Sequence, residues 1–466
     1  MLEGLINKIV VIGGNAAGLA AASQARRDNP EIDITVLESG DYISYGSCSL
    51  PYFISNEVKK IDDIFVYSKD FFEKKRNIKI LTAHKVTGLD TISRKVHVDI
   101  PGDKKGFFDY DRLIVSSGAT TIVPDIEGID ADNVFRFRDV HNALDLDCFI
   151  KGTSPEKAVI LGGGSIGMLM AESLIKIGIK VTVVEMSENI LGGFEDEIST
   201  VLYKKATLGK ANILTGSKVI RIVKDAQNIA HQVEVDTPDG SVRLDIDMII
   251  LATGIKANTS FIKKDSRTLI DLGQKDAIKV TSRQQTSNLN IYAAGDCCMC
   301  KNLVTGKYDF MTGANNAAKS GRAAGENIVG GSLDFDGSVG TKIDNIFGLE
   351  IAKAGLKLKE ATEHGFDAIK VTGSYSSRAH SLGGHKTINI SLVFENRTGR
   401  ILGAHMVGEE GVSKRIDILA TAITEEMDID QVYMLDLSYA PKVSTVWDPV
   451  NKICAKAVLN LKNRKI

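Results

Sequence analysis

The sequence predicts an α/β protein with two βαβ units and a C-terminal α+β domain. Three observations predict it. Residues 8–39, KIVVIGGNAAGLAAASQARRDNPEIDITVLES, and residues 157–187, KAVILGGGSIGMLMAESLIKIGIKVTVVEMS, resemble each other. Each reads as an apolar β run, a glycine turn, an amphipathic helix and a second β run ending in an acid. After GENIVGG (325–331) the pattern changes to strand-like runs, INISLVF and ILGAHMVG, alternating with amphipathic helices, SKRIDILATAITEE and DPVNKICAKAVLN. A chain of 466 residues is long enough for about three domains.

The glycine turns carry chemistry. A G-x-G-x-x-G turn between strand and helix is a weak signal alone, but two such turns, each followed by an acid after a second strand, are a strong one. Gly13 and Gly162 permit the tight turn, Gly164 lets backbone approach a pyrophosphate, and Gly18 and Gly167 let helix pack on strand. Asn15, followed by Ala16, stands at the middle glycine position of the first unit; Ser165 and Ile166 follow Gly164 in the second. The helix N-terminus offers free N–H groups and the positive dipole end to phosphates. Glu38 and Glu185 close the second strands, where a carboxylate accepts hydrogen bonds from ribose hydroxyls. The expected architecture is therefore two Rossmann-like dinucleotide-binding domains plus a C-terminal α+β domain. Gly118 in SSGATTIVP and Gly254 in ILATGIKAN end apolar strands in S/T-G loops of the same type. In NIYAAGDC, Asp296 ends a strand and can accept a hydrogen bond from a polyhydroxylated chain.

Bulk properties exclude several classes. Net charge is -2, giving no global attraction to nucleic acid or an anionic membrane, and the basic runs Lys59-Lys60 and Lys74-Lys75-Arg76 read as solvated charge. No apolar run approaches the roughly 20 residues of a membrane span. The N-terminus, MLEGLINK, leads straight into a strand without the pattern of a signal peptide, so the cytoplasm is expected. The six cysteines of a long intracellular chain are not expected to form a disulfide framework. Cys297, Cys298 and Cys300 lack a second ligand pair, so no metal is expected.

Jointly these motifs resemble the pyridine nucleotide-disulfide oxidoreductases. The closest likeness is to their single-cysteine branch: coenzyme A-disulfide reductases, NADH-dependent persulfide/polysulfide reductases and NADH oxidases. The resemblance runs through GGNAAG, SQARR (23–27), ISYGSCSLPY (43–52), GGGSIGMLMAE, IYAAGD, GEEGVSKRIDILATAI and YAPKVSTVWDP (439–449), nearly the whole chain. It implies an FAD-binding domain in two parts (1–118 and 288–335), an NAD-binding domain (119–287) and a dimerisation domain (336–466). It implies FAD and NADH as cofactors, NADPH being less favoured because an acid ends the second βαβ unit and no arginine follows it. It also implies a homodimer and a small thiol, disulfide or polysulfide substrate, with coenzyme A as one candidate.

Two-cysteine relatives carry C-x-x-x-x-C; here Phe53 stands five positions after Cys48, so Cys48 must cycle as a lone thiolate. Ser44 and Cys48 match the branch's S-F-x-x-C pattern, with Tyr45 in place of Phe. The resemblance makes Cys48 and Tyr439 the catalytic pair, with Tyr439 supplied by the partner subunit. It makes Gln24 and Arg27, one helical turn apart, with Ser44, Ser47 and Lys442, the substrate contacts. Ala16 replaces the histidine of the NADH oxidases and peroxidases, which favours sulfur over oxygen as acceptor. Other departures weigh the other way. The branch's paired tyrosines are absent from residues 378–384, Lys442 replaces the last proline of Y-A-P-P, Ser165 replaces a nicotinamide-gating tyrosine, and Leu169 replaces a glutamate. The readings left open are a sulfur reductase, an NADH oxidase, and a flavin-based redox sensor or electron-transfer protein.

Overall fold

The computed structural model describes residues 6–262 and 270–464. Two five-stranded parallel sheets and one five-stranded antiparallel sheet carry the architecture. The first parallel sheet runs Ile291–Ala293, Arg112–Val115, Lys8–Ile12, Asp33–Leu37, Lys79–Leu81. Its central strand, KIVVI, is buried on both faces, as parallel strands are. Ile9 and Val11 pack against Ala17, Ala21 and Ala25 of helix Ala16–Asp28. Val10 and Ile12 point the other way, to Leu89, Val96 and Val98 of a three-stranded antiparallel sheet (Lys85–Asp90, Lys95–Ile100, Lys104–Asp109).

The second parallel sheet repeats this plan in the order Asn212–Leu214, Lys180–Val184, Lys157–Leu161, Met248–Leu251, Val134–Arg136. Ala158 and Ile160 face the core shared with helix Ser165–Lys176, while Val159 and Leu161 face Val219, Val233 and Val235 of a second three-stranded antiparallel sheet. The two S/T-G segments meet: Ala119–Thr121 pairs antiparallel with Ile255–Ala257.

The C-terminal sheet is antiparallel throughout, in the order Lys342–Ile346, Leu349–Gly355, Ile401–Gly408, Thr387–Glu395, Ala368–Ser376. Helices Val412–Thr424 and Pro449–Arg464 share its apolar core. This domain clasps the loop that follows the acid of the second βαβ unit. The Glu195 N–H donates to His405 Nδ1 at 3.0 Å, and its carboxylate accepts from Leu358 N at 2.6 Å and pairs with Lys370 at 2.8 Å. Lys353 and Lys357 donate to the Gly193 and Gly192 carbonyls at 2.8 and 2.7 Å.

Candidate active site

The two glycine loops have one geometry. Gly13 has φ +104° and Gly162 +105°. A Cβ on either would sit 2.3 Å from the Ser116 carbonyl oxygen or 2.4 Å from that of Ala252, so a side chain is barred twice over. A Cβ on Gly18 or Gly167 would meet the loop's own carbonyl at 2.0 or 1.9 Å, which fixes how closely helix lies on loop. Each loop is braced by its acid: Glu38 Oε2 accepts from Gly14 N at 2.7 Å, and Glu185 Oε2 from Gly163 N at 2.6 Å. The other oxygens accept from Gly40 N and Ser187 N. Neither helix has a side chain capping its N-terminus, so first-turn N–H groups are free to meet an anion.

A cavity of about 300 Å³ opens over the first loop, lined by Gly13, Asn15, Glu38, Ser47, Gly118 and Arg138 among others. Nothing lies within 4 Å of where a Cβ would stand on Gly118 or Gly164. An open path over a glycine loop, ending at a braced carboxylate, fits an elongated diphosphate-linked nucleotide in each unit. Asp296 is held by Gly313 N at 3.0 Å and by Arg138 at 2.6 Å; Arg138 lines this cavity and Asp296 stands behind it. In the second unit Ile166 is 43% exposed beside Ser165, and Gly254 (φ +92°) accepts from Ile122 N through its carbonyl.

Cys48 is exposed on the short turn Ser47–Ser49. The helix that follows, Leu50–Ile54, buries Leu50, Phe53 and Ile54 in the core of the second unit with Met168, Leu169 and Met170. That anchoring fixes the turn between the two nucleotide units. Ser44, four residues earlier, is buried at φ +53°. Its N–H donates to Gly14 O at 3.0 Å, and its carbonyl and hydroxyl accept from Val66 N and Tyr67 N.

A second cavity, about 520 Å³, lies on the other side of this segment and includes Asn15, Ala16, Arg27, Ser44, Tyr67 and Phe71 in its wall. Arg76, Lys319 and Arg322 also line it, so a largely apolar groove is rimmed by four cations. Burial, with Arg322 and Arg76 as like charges nearby, pulls the Arg27 pKa below its usual value. Gln24 does not line the groove; it accepts from Arg27 Nη2 and donates to Asp28 at 2.8 Å, holding Arg27.

Tyr439 is 49% exposed and Lys442 is exposed, and neither lines the cavities beside Cys48 in the same chain. Val443, Val446 and Trp447 are exposed with them, 47–70%. Their loop touches residues 378–386 through Ala379 N and Pro441 O at 3.2 Å, and the His380 and His385 rings there lie 4.1 Å apart. The Cys297 and Cys298 thiols donate to the carbonyls of Val115, Ala294 and Gly295, and burial beside Asp309 pushes the Cys300 thiol up to about 11. Among the described residues no group of three His, Cys, Asp or Glu is placed to hold a metal ion.

Residues 7–321 match the pyridine nucleotide-disulphide oxidoreductase family, and residues 345–449 match its dimerisation domain. The chain is 31% identical to an "NADH oxidase" from Methanocaldococcus jannaschii over 98% of this chain and 100% of that one. It is 33% identical to an "NAD(P)H sulfur oxidoreductase (CoA-dependent)" from Pyrococcus abyssi, over 95% of this chain and 96% of that one. A solved NAD-dependent persulfide reductase from A. fulgidus superposes with a TM-score of 0.93 at 34% identity, covering 98% of this chain and 84% of that one.

Proposed function

Because the chain belongs to the pyridine nucleotide-disulphide oxidoreductase family, we propose that it is an FAD-dependent NAD(P)H oxidoreductase that reduces a disulfide, persulfide or polysulfide through Cys48 alone. The carrying observation is the placement of Cys48. It is exposed on a turn whose neighbours line both cavities, and the position five residues on is the buried Phe53 rather than a second thiol. The persulfide reductase and the sulfur oxidoreductase among the relatives support the same reading.

In this reading Gly13, Asn15, Ala16, Gly18, Glu38, Gly118 and Asp296 hold FAD. Gly162, Gly164, Ser165, Ile166, Gly167, Glu185 and Gly254 hold the nicotinamide dinucleotide. FAD, when bound, accepts hydride from the nicotinamide and returns the electron pair to sulfur. The Glu185 carboxylate suits ribose hydroxyls and repels a 2′-phosphate, which favours NADH. The Cys48 thiolate attacks R–S–S–R′, forming a mixed disulfide and releasing R′–S⁻; two electrons then split the mixed disulfide into Cys48 thiolate and R–S⁻. Tyr439 of the partner subunit donates a proton to the leaving thiolate. Arg27 and its neighbouring cations give the apolar groove an affinity for an anionic thiol such as coenzyme A, and Ser44, Ser47, Gln24 and Lys442 shape its approaches.

Oxygen is the competing acceptor, supported by the M. jannaschii relative's name. Ala16 argues against it, because no imidazole stands in the groove wall at that position. The test is an anaerobic panel with NADH and with NADPH against coenzyme A disulfide, coenzyme A persulfide, inorganic polysulfide and glutathione disulfide, followed by oxygen. Turnover of at least one sulfur acceptor at a higher kcat/KM than oxygen, with NADH preferred, is expected. Oxygen as the only acceptor would overturn the reading.

A further inference from the structure

Asn15 and Tyr45 are the two residues common to the walls of both cavities. They form the partition between the space over the first glycine loop and the apolar, cation-rimmed groove. The geometry orients this pair. Asn15 Oδ1 accepts the Tyr45 backbone N–H at 3.2 Å, which ties the two wall residues together. The Tyr45 ring is half-buried and packs edge-on to Phe65, with centroids 6.4 Å apart. Tyr45 lies three residues before Cys48, just ahead of the turn that Gly46 O closes by accepting from Ser49 N at 2.9 Å.

Burial, with the carboxylates of Asp139 and Glu38 nearby, pushes the Tyr45 phenol well above its usual range, against smaller opposing effects of Arg138 and Asn15. A phenol in that state does not give up its proton to a thiolate. It can donate a hydrogen bond to one at any working pH, which is a different task from the proton transfer assigned to Tyr439.

We infer that Tyr45 is a further catalytic residue of the sulfur half-reaction: held by Asn15 in the shared wall, its hydroxyl donates a hydrogen bond to the thiolate that forms when Cys48 attacks. The inference rests on the function proposed above. No bond to Tyr45 forms or breaks, so the step needs no further reactant. A neutral disulfide sulfur is a weak acceptor and a thiolate a strong one, so the bond strengthens as charge develops and acts on rate more than on binding.

Tyr45→Phe keeps the ring and removes only the donor. In anaerobic rapid mixing the variant should accept hydride from NADH at the wild-type rate, and its kcat for the sulfur acceptor should fall roughly tenfold or more, as for a hydrogen bond to a charged group. KM for the acceptor, and the calorimetric affinity of the flavin-loaded protein for coenzyme A, should stay within about twofold. A variant that reduces the acceptor at the wild-type rate overturns the inference. So does one whose rate loss is matched by an equal loss of coenzyme A affinity or of hydride acceptance, since that makes Tyr45 only part of the wall. A wild-type protein that reduces no sulfur acceptor overturns the proposed function and this inference together.

Discussion

Tyr439 and Cys48 are both exposed, and neither lines the two cavities described above. The Tyr439 loop is nonetheless tightly set. Arg415, fully buried, pairs with Asp448 at 2.9 Å and donates to the carbonyls of Gly411 and Ser377, while Ser444 Oγ donates to Asp448 at 2.8 Å. A loop so braced suits a residue that must meet a partner in one position. Tyr439→Phe should lower kcat for the sulfur acceptor by roughly 10²-fold, as loss of general-acid assistance does, and leave NADH affinity unchanged. Separate titrations of acceptor and nucleotide check it; a variant whose loss lies entirely in NADH binding contradicts the assignment. Some residues of this site were legible in the sequence and others were not, for a physical reason. Glu38 and Glu185 announce themselves because a glycine turn and a strand end fix their positions locally. Tyr67, Arg76 and Arg322 do not, because they join Arg27 only when segments 40 to 295 residues apart in the chain fold together.

At the scale of elements, the βαβ units were legible because a parallel strand buried on both faces leaves a continuous apolar run. The two three-stranded antiparallel sheets were not. Lys104–Asp109 reads KKGFFD and Gly240–Asp245 reads GSVRLD, edge strands whose exposed faces dilute the alternation. The interdomain clasp was also invisible, since its partners Glu195 and His405 are 210 residues apart. It carries a testable energetic consequence. His405 is fully buried, and burial, followed by Lys353, Lys357 and Lys370, holds its imidazole well below the usual 6.5. The unfolded chain therefore binds a proton near pH 6.5 that the folded chain refuses, so stability falls as pH drops below that value. His405→Gln offers an amide oxygen to the Glu195 N–H but takes up no proton. Its Tm should fall less than that of the wild type between pH 6.5 and roughly pH 5. Parallel Tm curves for the two proteins would contradict this role of the clasp.

At the scale of the whole molecule, the dimerisation domain leaves Met434, Val443, Val446 and Trp447 exposed around Tyr439. Apolar side chains gathered at one loop favour association, and a two-fold homodimer is the commonest outcome. Light scattering should report a dimer, and Val446→Glu, which places a charge in that patch, should weaken it and lose sulfur turnover while still accepting hydride. A fully active monomer would contradict an active site completed across two subunits.

The central claim is that one thiolate, Cys48, carries the sulfur chemistry. The most direct measurement is anaerobic rapid mixing of Cys48→Ser, first with NADH and then with the best sulfur acceptor from the panel. Hydride transfer from NADH should proceed at the wild-type rate, because the nicotinamide-dinucleotide contacts proposed above lie on the second βαβ unit, and reoxidation by the sulfur acceptor should vanish. Reoxidation of Cys48→Ser by that acceptor at the wild-type rate would contradict the account.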